Sequence, residues 1–169
     1  MTTMTAKSNT APTTINRRHA LLMGAGGLVI GMGWALQARA AAPKTGVEVW
    51  KDPNCGCCKD WITHMEAAGF QVTVHEKGNT AARASLGMPQ KFASCHTAVV
   101  QGYVIEGHVP AADIKRLLAD KPQALGLAVP GMPVGSPGMD GPVYGGKRDP
   151  YKVLLVQKNG DSKVFASYA

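Results

Sequence analysis

The chain has 169 residues, 45% hydrophobic and 17% charged, enough for one domain with a real core and hardly for two. Its net charge of +7 is partly an end effect: Lys7, Arg17, Arg18 and Arg39 fall in the first forty residues, which hold no Asp or Glu. The remainder carries fourteen basic and eleven acidic residues, with no Lys/Arg run and no aromatic-basic interleaving, and so gives no support to a nucleic-acid partner.

Residues 1–40 have the layout of an export signal. Arg17-Arg18 forms a basic start, Ala20 to Leu36 a weakly apolar stretch, and Ala38-Arg39-Ala40 a small-residue cleavage site. The paired arginines and Arg39 resemble a twin-arginine signal, although Asn16 stands where Ser or Thr is usual and Ala20 where an aromatic is usual. The general secretory route and an uncleaved anchor are the alternatives. The stretch is too short and too rich in glycine (Gly24, Gly26, Gly27, Gly31, Gly33) for a comfortable membrane span. The expectation is a periplasmic domain of residues 41–169 with no span after cleavage.

Val47-Glu48-Val49-Trp50 alternates as a strand, and Lys51-Asp52-Pro53-Asn54 reads as a turn. Cys55-Gly56-Cys57-Cys58 follows, then a helix from Lys59 to Ala68 ended by Gly69, with Trp61, Ile62, Met65 and Ala68 as its buried stripe. Phe70 to His75 is a second strand, and Asn79 or Thr80 caps a short helix through Leu86. Thr97 to Gln101 and Tyr103 to Glu106 are two strands joined at Gly102; Pro110 opens a helix whose apolar side is Ile114, Leu117 and Leu118. The order β-α-β-α-β-β-α predicts an α/β domain, a thioredoxin-like central sheet flanked by helices. Thirteen of residues 122–150 are Gly or Pro, which predicts a long loop without regular structure. That loop repeats itself, with Pro130-Gly131-Met132 recurring as Pro137-Gly138-Met139, and loops of this length are often functional. A C-terminal hairpin, Lys152 to Gln157 and Ser162 to Tyr168, turns at Asn159-Gly160.

Three thiols within four residues are not an ordinary disulfide pattern. Cys57 with Cys58, or Cys55 with Cys57, is too tight for the usual Cα separation of roughly 5.5 Å, whereas Cys55 and Cys58 have the C-x-x-C spacing. A place at a helix start favours thiolate, which is both nucleophile and metal ligand. Dithiol redox and soft-metal binding therefore both remain open. Cys57 is superfluous to a redox pair but adds a donor to a metal site, and sulfur-rich ligation selects Cu(I), zinc or iron–sulfur clusters. Zinc is normally gripped by two separated ligand pairs, so the crowding suits bridged Cu(I) better. In a thioredoxin-like chain Ser94-Cys95-His96-Thr97 occupies the start of the third strand, where a cis-proline is usual, which would set Cys95 and His96 facing the three thiols.

Cys55-Gly56-Cys57-Cys58, Ser94-Cys95-His96-Thr97, Glu106-Gly107-His108-Val109-Pro110 and Gly126-Leu127-Ala128-Val129-Pro130-Gly131-Met132-Pro133 together resemble the CopG-type copper-resistance family, over roughly residues 46–167. The resemblance implies a thioredoxin-like fold, a periplasmic location, copper bound by the C-x-C-C cysteines and Cys95, and a role in copper handling or redox.

The other donors are open. Strand alternation turns His96 away from the face of Cys95 unless the strand begins later, so it is a ligand or a core residue. His108 is a ligand or a capping residue. Met132 and Met139 are soft donors, or cover the site, or form a copper-transfer arm. His64, about 9 Å along the helix from Cys58, reads as a surface residue, and His75 has no evident partner. The leading expectation is a non-enzymatic copper-binding protein whose partners are copper ions and other periplasmic copper-handling proteins. A thiol–disulfide or copper oxidoreductase using Cys55 and Cys58 is the alternative, and a thioredoxin-like iron–sulfur protein the third.

Overall fold

The computed structural model describes residues 43–169; the export signal expected from the sequence, with Arg17, Arg18, Ala38 and Ala40, lies outside them. The elements are β1 (Gly46–Lys51), α1 (Gly56–Ala67), β2 (Gln71–His75), α2 (Thr80–Ser85), β3 (His96–Val100), β4 (Tyr103–Glu106), α3 (Ala111–Asp120), β5 (Gly126–Ala128), β6 (Tyr151–Val156) and β7 (Ser162–Tyr168). One seven-stranded sheet runs β2-β1-β3-β4-β5-β6-β7. Its first four strands have the expected thioredoxin-like arrangement: β1 and β2 parallel, β3 antiparallel to both β1 and β4.

Strand alternation divides the core into two layers. Ile105, Leu127 and Leu155 join Trp61 and Met65 of α1 and Ile114 and Leu117 of α3 on one face. Their neighbours Val104, Ala128 and Val156 pack with Met88 and Phe92 on the other. Of the stripe predicted for α1, Trp61 and Met65 are buried, and Ile62 and Ala68 are partly buried against the same cluster.

Two local differences have physical causes. The helix predicted from Lys59 begins at Gly56, so Cys57 and Cys58 occupy its first turn and Cys55 is its N-cap residue. The segment 122–150 also contains a strand: β5 pairs parallel with β4 and antiparallel with β6, bridging the thioredoxin-like half to the C-terminal hairpin. A Cβ on Gly126 would run into the Val104 carbonyl, so the glycine that suggested a loop is what lets the strand approach. Arg116 of α3 ties the hairpin down, its guanidinium over the Phe165 ring and donating to the Phe165 carbonyl at 2.9 Å.

Candidate metal centre

Strand register brings three segments to one end of the sheet. Lys51, the last residue of β1, lies opposite His96, the first of β3, and Thr97 lies opposite Glu106, the last of β4. The cysteine loop after β1, Cys95 before β3 and His108 beyond β4 therefore meet. The turn leading into the loop is held by the buried Lys51 ammonium, which donates to the Asp52 carbonyl at 2.9 Å and pairs with Glu76 at 3.2 Å.

Cys55 and Cys58 are joined as a disulfide with their Cα atoms 5.4 Å apart, and Cys57 and Cys95 are free thiols. The sulfur of Cys57 lies 3.5 Å from that of Cys55, and the sulfur of Cys95 lies 3.4 Å from Cys58 and 3.9 Å from Cys57. All four sulfurs fall within 4.8 Å of one another. Reduced, they form a four-thiol pocket; as a disulfide, the pair leaves two thiols. Cys58 is fully buried. Burial, reinforced by Cys57, pushes the Cys95 thiol up to about 12, so this sulfur keeps its proton until a cation displaces it.

His96 and His108 are both fully buried and add nitrogen to this sulfur. His108 Nε2 lies 3.0 Å from Cys95 Sγ, while its Nδ1–H donates to the Pro137 carbonyl at 2.8 Å. That contact fixes the tautomer and leaves the Nε2 lone pair toward the sulfur, as in metal-ligating histidines. His96 Nδ1 lies 3.4 Å from Cys95 Sγ, and its Nε2 is the one buried side-chain polar atom without a hydrogen-bond partner among the described residues. Its ring packs 4.4 Å from Trp61 and meets His108 edge-on at 5.0 Å. Burial lowers both histidines, His96 well below its ordinary value with repulsion from a protonated His108 adding to the effect, and this favours the neutral form, the one that binds metal. Cys95, His96 and His108 make a second group of candidate ligands, sharing Cys95 with the first.

The Gly/Pro-rich segment covers this end. Gly138 lies against the first turn of α1: a Cβ there would stand 2.6 Å from the Cys57 carbonyl oxygen and 2.7 Å from the Trp61 nitrogen. Met139 is buried and its sulfur accepts the Tyr144 hydroxyl at 3.2 Å, whereas Met132 is exposed. Of the uncertain donors, the structure places His108 and His96 beside Cys95, with Met139 in the covering segment.

Other histidines differ from expectation. His64 is half-buried rather than a surface residue, and its Nε2 accepts the Ala111 N–H at 3.1 Å, satisfying a donor at the start of α3. His75 has a partner after all, stacking on Trp50 at 4.8 Å. The largest omission of the sequence reading is a carboxylate. Glu106, which entered it only as a strand end and as part of a motif, is fully buried and paired with Arg83 at 3.2 Å. Burial raises its pKa, opposed by bonds from Thr97 and Ser94 and by the Arg83 charge. The available signal was a lone acid ending the apolar strand Tyr103-Val104-Ile105.

Comparison with known proteins points the same way. A family model described as "Protein of unknown function, DUF411" matches residues 92–139, which span Cys95, His96, His108 and both Pro-Gly-Met units. Two solved structures are similar. "Copper resistance protein copG- Form 1" is 47% identical with a TM-score of 0.69, the match covering 75% of this chain and 98% of that one. "Copper resistance protein copG- Form 2" is 46% identical with a TM-score of 0.68, covering 75% and 100%. No curated protein matches the chain. No helix among the described residues is long and apolar enough to cross a membrane.

Proposed function

The chain belongs to the CopG copper-resistance family, and from that premise we propose that it is a periplasmic protein holding Cu(I) as a thiolate cluster in copper resistance or homeostasis. The observation that carries the reading is the meeting of Cys55, Cys57, Cys58 and Cys95, four sulfurs from two segments within 4.8 Å of one another. Thiolate is the soft donor that Cu(I) prefers, and crowded sulfurs favour bridging over a single tetrahedral ion. His96 and His108 complete the donor set around Cys95, and Met139 belongs to the cover through which copper would pass to other copper-handling proteins. In this reading residues 1–40 direct export, by the twin-arginine route, and residues 41–169 are the working domain.

Anaerobic titration of the reduced protein with Cu(I) against a chromophoric chelator tests the reading. Several tightly held copper ions per chain are expected, with capacity falling sharply once the Cys55–Cys58 pair is oxidised. Capacity equal to that of a variant with all four cysteines changed to Ser would sink it.

The Cys55–Cys58 disulfide favours one second reading, a thiol–disulfide or copper oxidoreductase built on that pair. Cys57→Ser separates the two. A dithiol enzyme keeps its disulfide-exchange activity in that variant, while a copper cluster loses a bridging sulfur and most of its metal.

A further inference from the structure

Glu106 and Arg83 have no part in that chemistry, yet they form a buried ion pair beside it. A buried pair is a weak source of stability, because desolvation offsets much of the attraction. Its hydrogen bonds indicate a different use. Glu106 Oε1 accepts the Ser94 N–H at 2.8 Å, and Oε2 accepts the Thr97 hydroxyl at 2.6 Å. The Ser94 carbonyl accepts Asn79 Nδ2 at 3.0 Å and Arg83 Nη1 at 3.4 Å, and Asn79 also donates to the Thr97 hydroxyl at 3.2 Å. The residues on both sides of Cys95-His96 are therefore gripped by side chains from α2 and its N-cap and from the end of β4. The same β4 end leads through Gly107 to His108, and the Gly107 N–H donates to the His96 carbonyl at 2.9 Å.

We infer that Glu106, supported by Arg83 and Asn79, is a positioning residue that holds Cys95 and His96 against the C-x-C-C corner before any metal arrives. The inference rests on the proposed copper function. A four-sulfur site drawn from two segments about forty residues apart must order the distant one to form. A carboxylate that accepts from residues on both flanks of Cys95 removes that ordering cost in advance, and groups outside the ligand set commonly change metal affinity by roughly 10- to 100-fold.

The test uses the full chain, reduced and anaerobic, with Cu(I) competed against a chromophoric chelator. Arg83→Met combined with Glu106→Leu removes both charges at similar volume, an exchange that buried pairs often tolerate without loss of fold. Circular dichroism should show an intact fold, and Cu(I) affinity should fall roughly tenfold. In a Cys95→Ser background the same pair of changes should cost nothing further, because Glu106 acts through Cys95. Unchanged affinity in the folded variant overturns the inference, as does an equal loss in the Cys95→Ser background, which would mark a general structural effect. Should the paired variant not fold, Glu106→Gln in the same two backgrounds decides: a loss confined to the Cys95 protein supports the inference, and any other pattern overturns it. Failure of the copper reading shows separately, as Cys95→Ser alone leaving copper binding untouched.

Discussion

Pro130-Gly131-Met132 and Pro137-Gly138-Met139 have the same three residues in the same loop, and the fold uses them differently. In the first unit the Gly131 N–H donates to the Ala93 carbonyl at 3.2 Å and its own carbonyl accepts the Ser94 hydroxyl, while Met132 stays 51% exposed. In the second, the Pro137 carbonyl accepts the His108 N–H, Gly138 lies against Cys57 and Trp61, and Met139 is only 8% exposed. One unit braces the segment before Cys95 from outside; the other covers the cysteine corner. Proline and glycine make each turn possible, and the surroundings of each turn decide its role.

The strongest way to break this contrast is at the glycines. Both have positive φ, +71° at Gly131 and +85° at Gly138, but only Gly138 has backbone in the way of a Cβ. Gly138→Ala should cost about 3 kcal/mol by denaturant unfolding, as overpacking adds to strain. Gly131→Ala, with open space around it, should cost about 1 kcal/mol from strain alone. Equal losses would mean that Gly138 does not press on α1.

The methionines sharpen it next. Met139→Ala should destabilise by about 2 kcal/mol, near the low end for a buried side chain, and Met132→Ala by less than about 0.5 kcal/mol. Repeating the Cu(I) competition on both variants then asks whether the covering methionine also matters to the metal. An effect of Met132→Ala as large as that of Met139→Ala would remove the distinction.

The smallest effect concerns the next residue along from each unit, Pro133 beyond the first and Asp140 beyond the second. Burial holds His64 below its ordinary value of 6.5, and the Asp140 charge opposes this. A group depressed in the folded state binds protons more readily when unfolded. Its contribution is therefore present above about pH 6.5 and lost as pH falls through that value and below. His64→Gln, which keeps an acceptor for the Ala111 N–H, should flatten part of that decline. Asp140→Asn should deepen it by under about 1 kcal/mol, since His64 is half-exposed and its charge is screened. A decline unchanged by either substitution, measured by thermal unfolding from pH 7.5 to 5, would separate Asp140 from His64.

Much of the fold was legible because its signals are local. The alternation of Val47 and Val49, the stripe of Trp61 and Met65, and the C-x-C-C at a strand-to-helix corner all lie within single elements, where periodicity reports which side is buried. Cys95 was legible at one remove: the order of elements implied a thioredoxin-like sheet, and that sheet implied the corner faced by its third strand. His108 was legible only as an open choice between ligand and capping residue, because its place depends on the β3–β4 register carrying the chain past Glu106 and back to Cys95. β5 was hidden for the opposite reason, its three residues too few to show a period inside a segment rich in Gly and Pro.

By itself, then, the sequence determined the α/β order, the faces of its helices and strands, and a concentration of soft donors too crowded for ordinary disulfides. Only the tertiary structure decided that both buried histidines stand beside Cys95, that Glu106 grips the turn before it, and that one Pro-Gly-Met unit is covered and the other bare. The reason is physical. Periodicity is written along the chain at the scale of one helical turn or one strand repeat. A hydrogen bond between residues tens of positions apart depends on register and close approach, which residue types allow but do not specify.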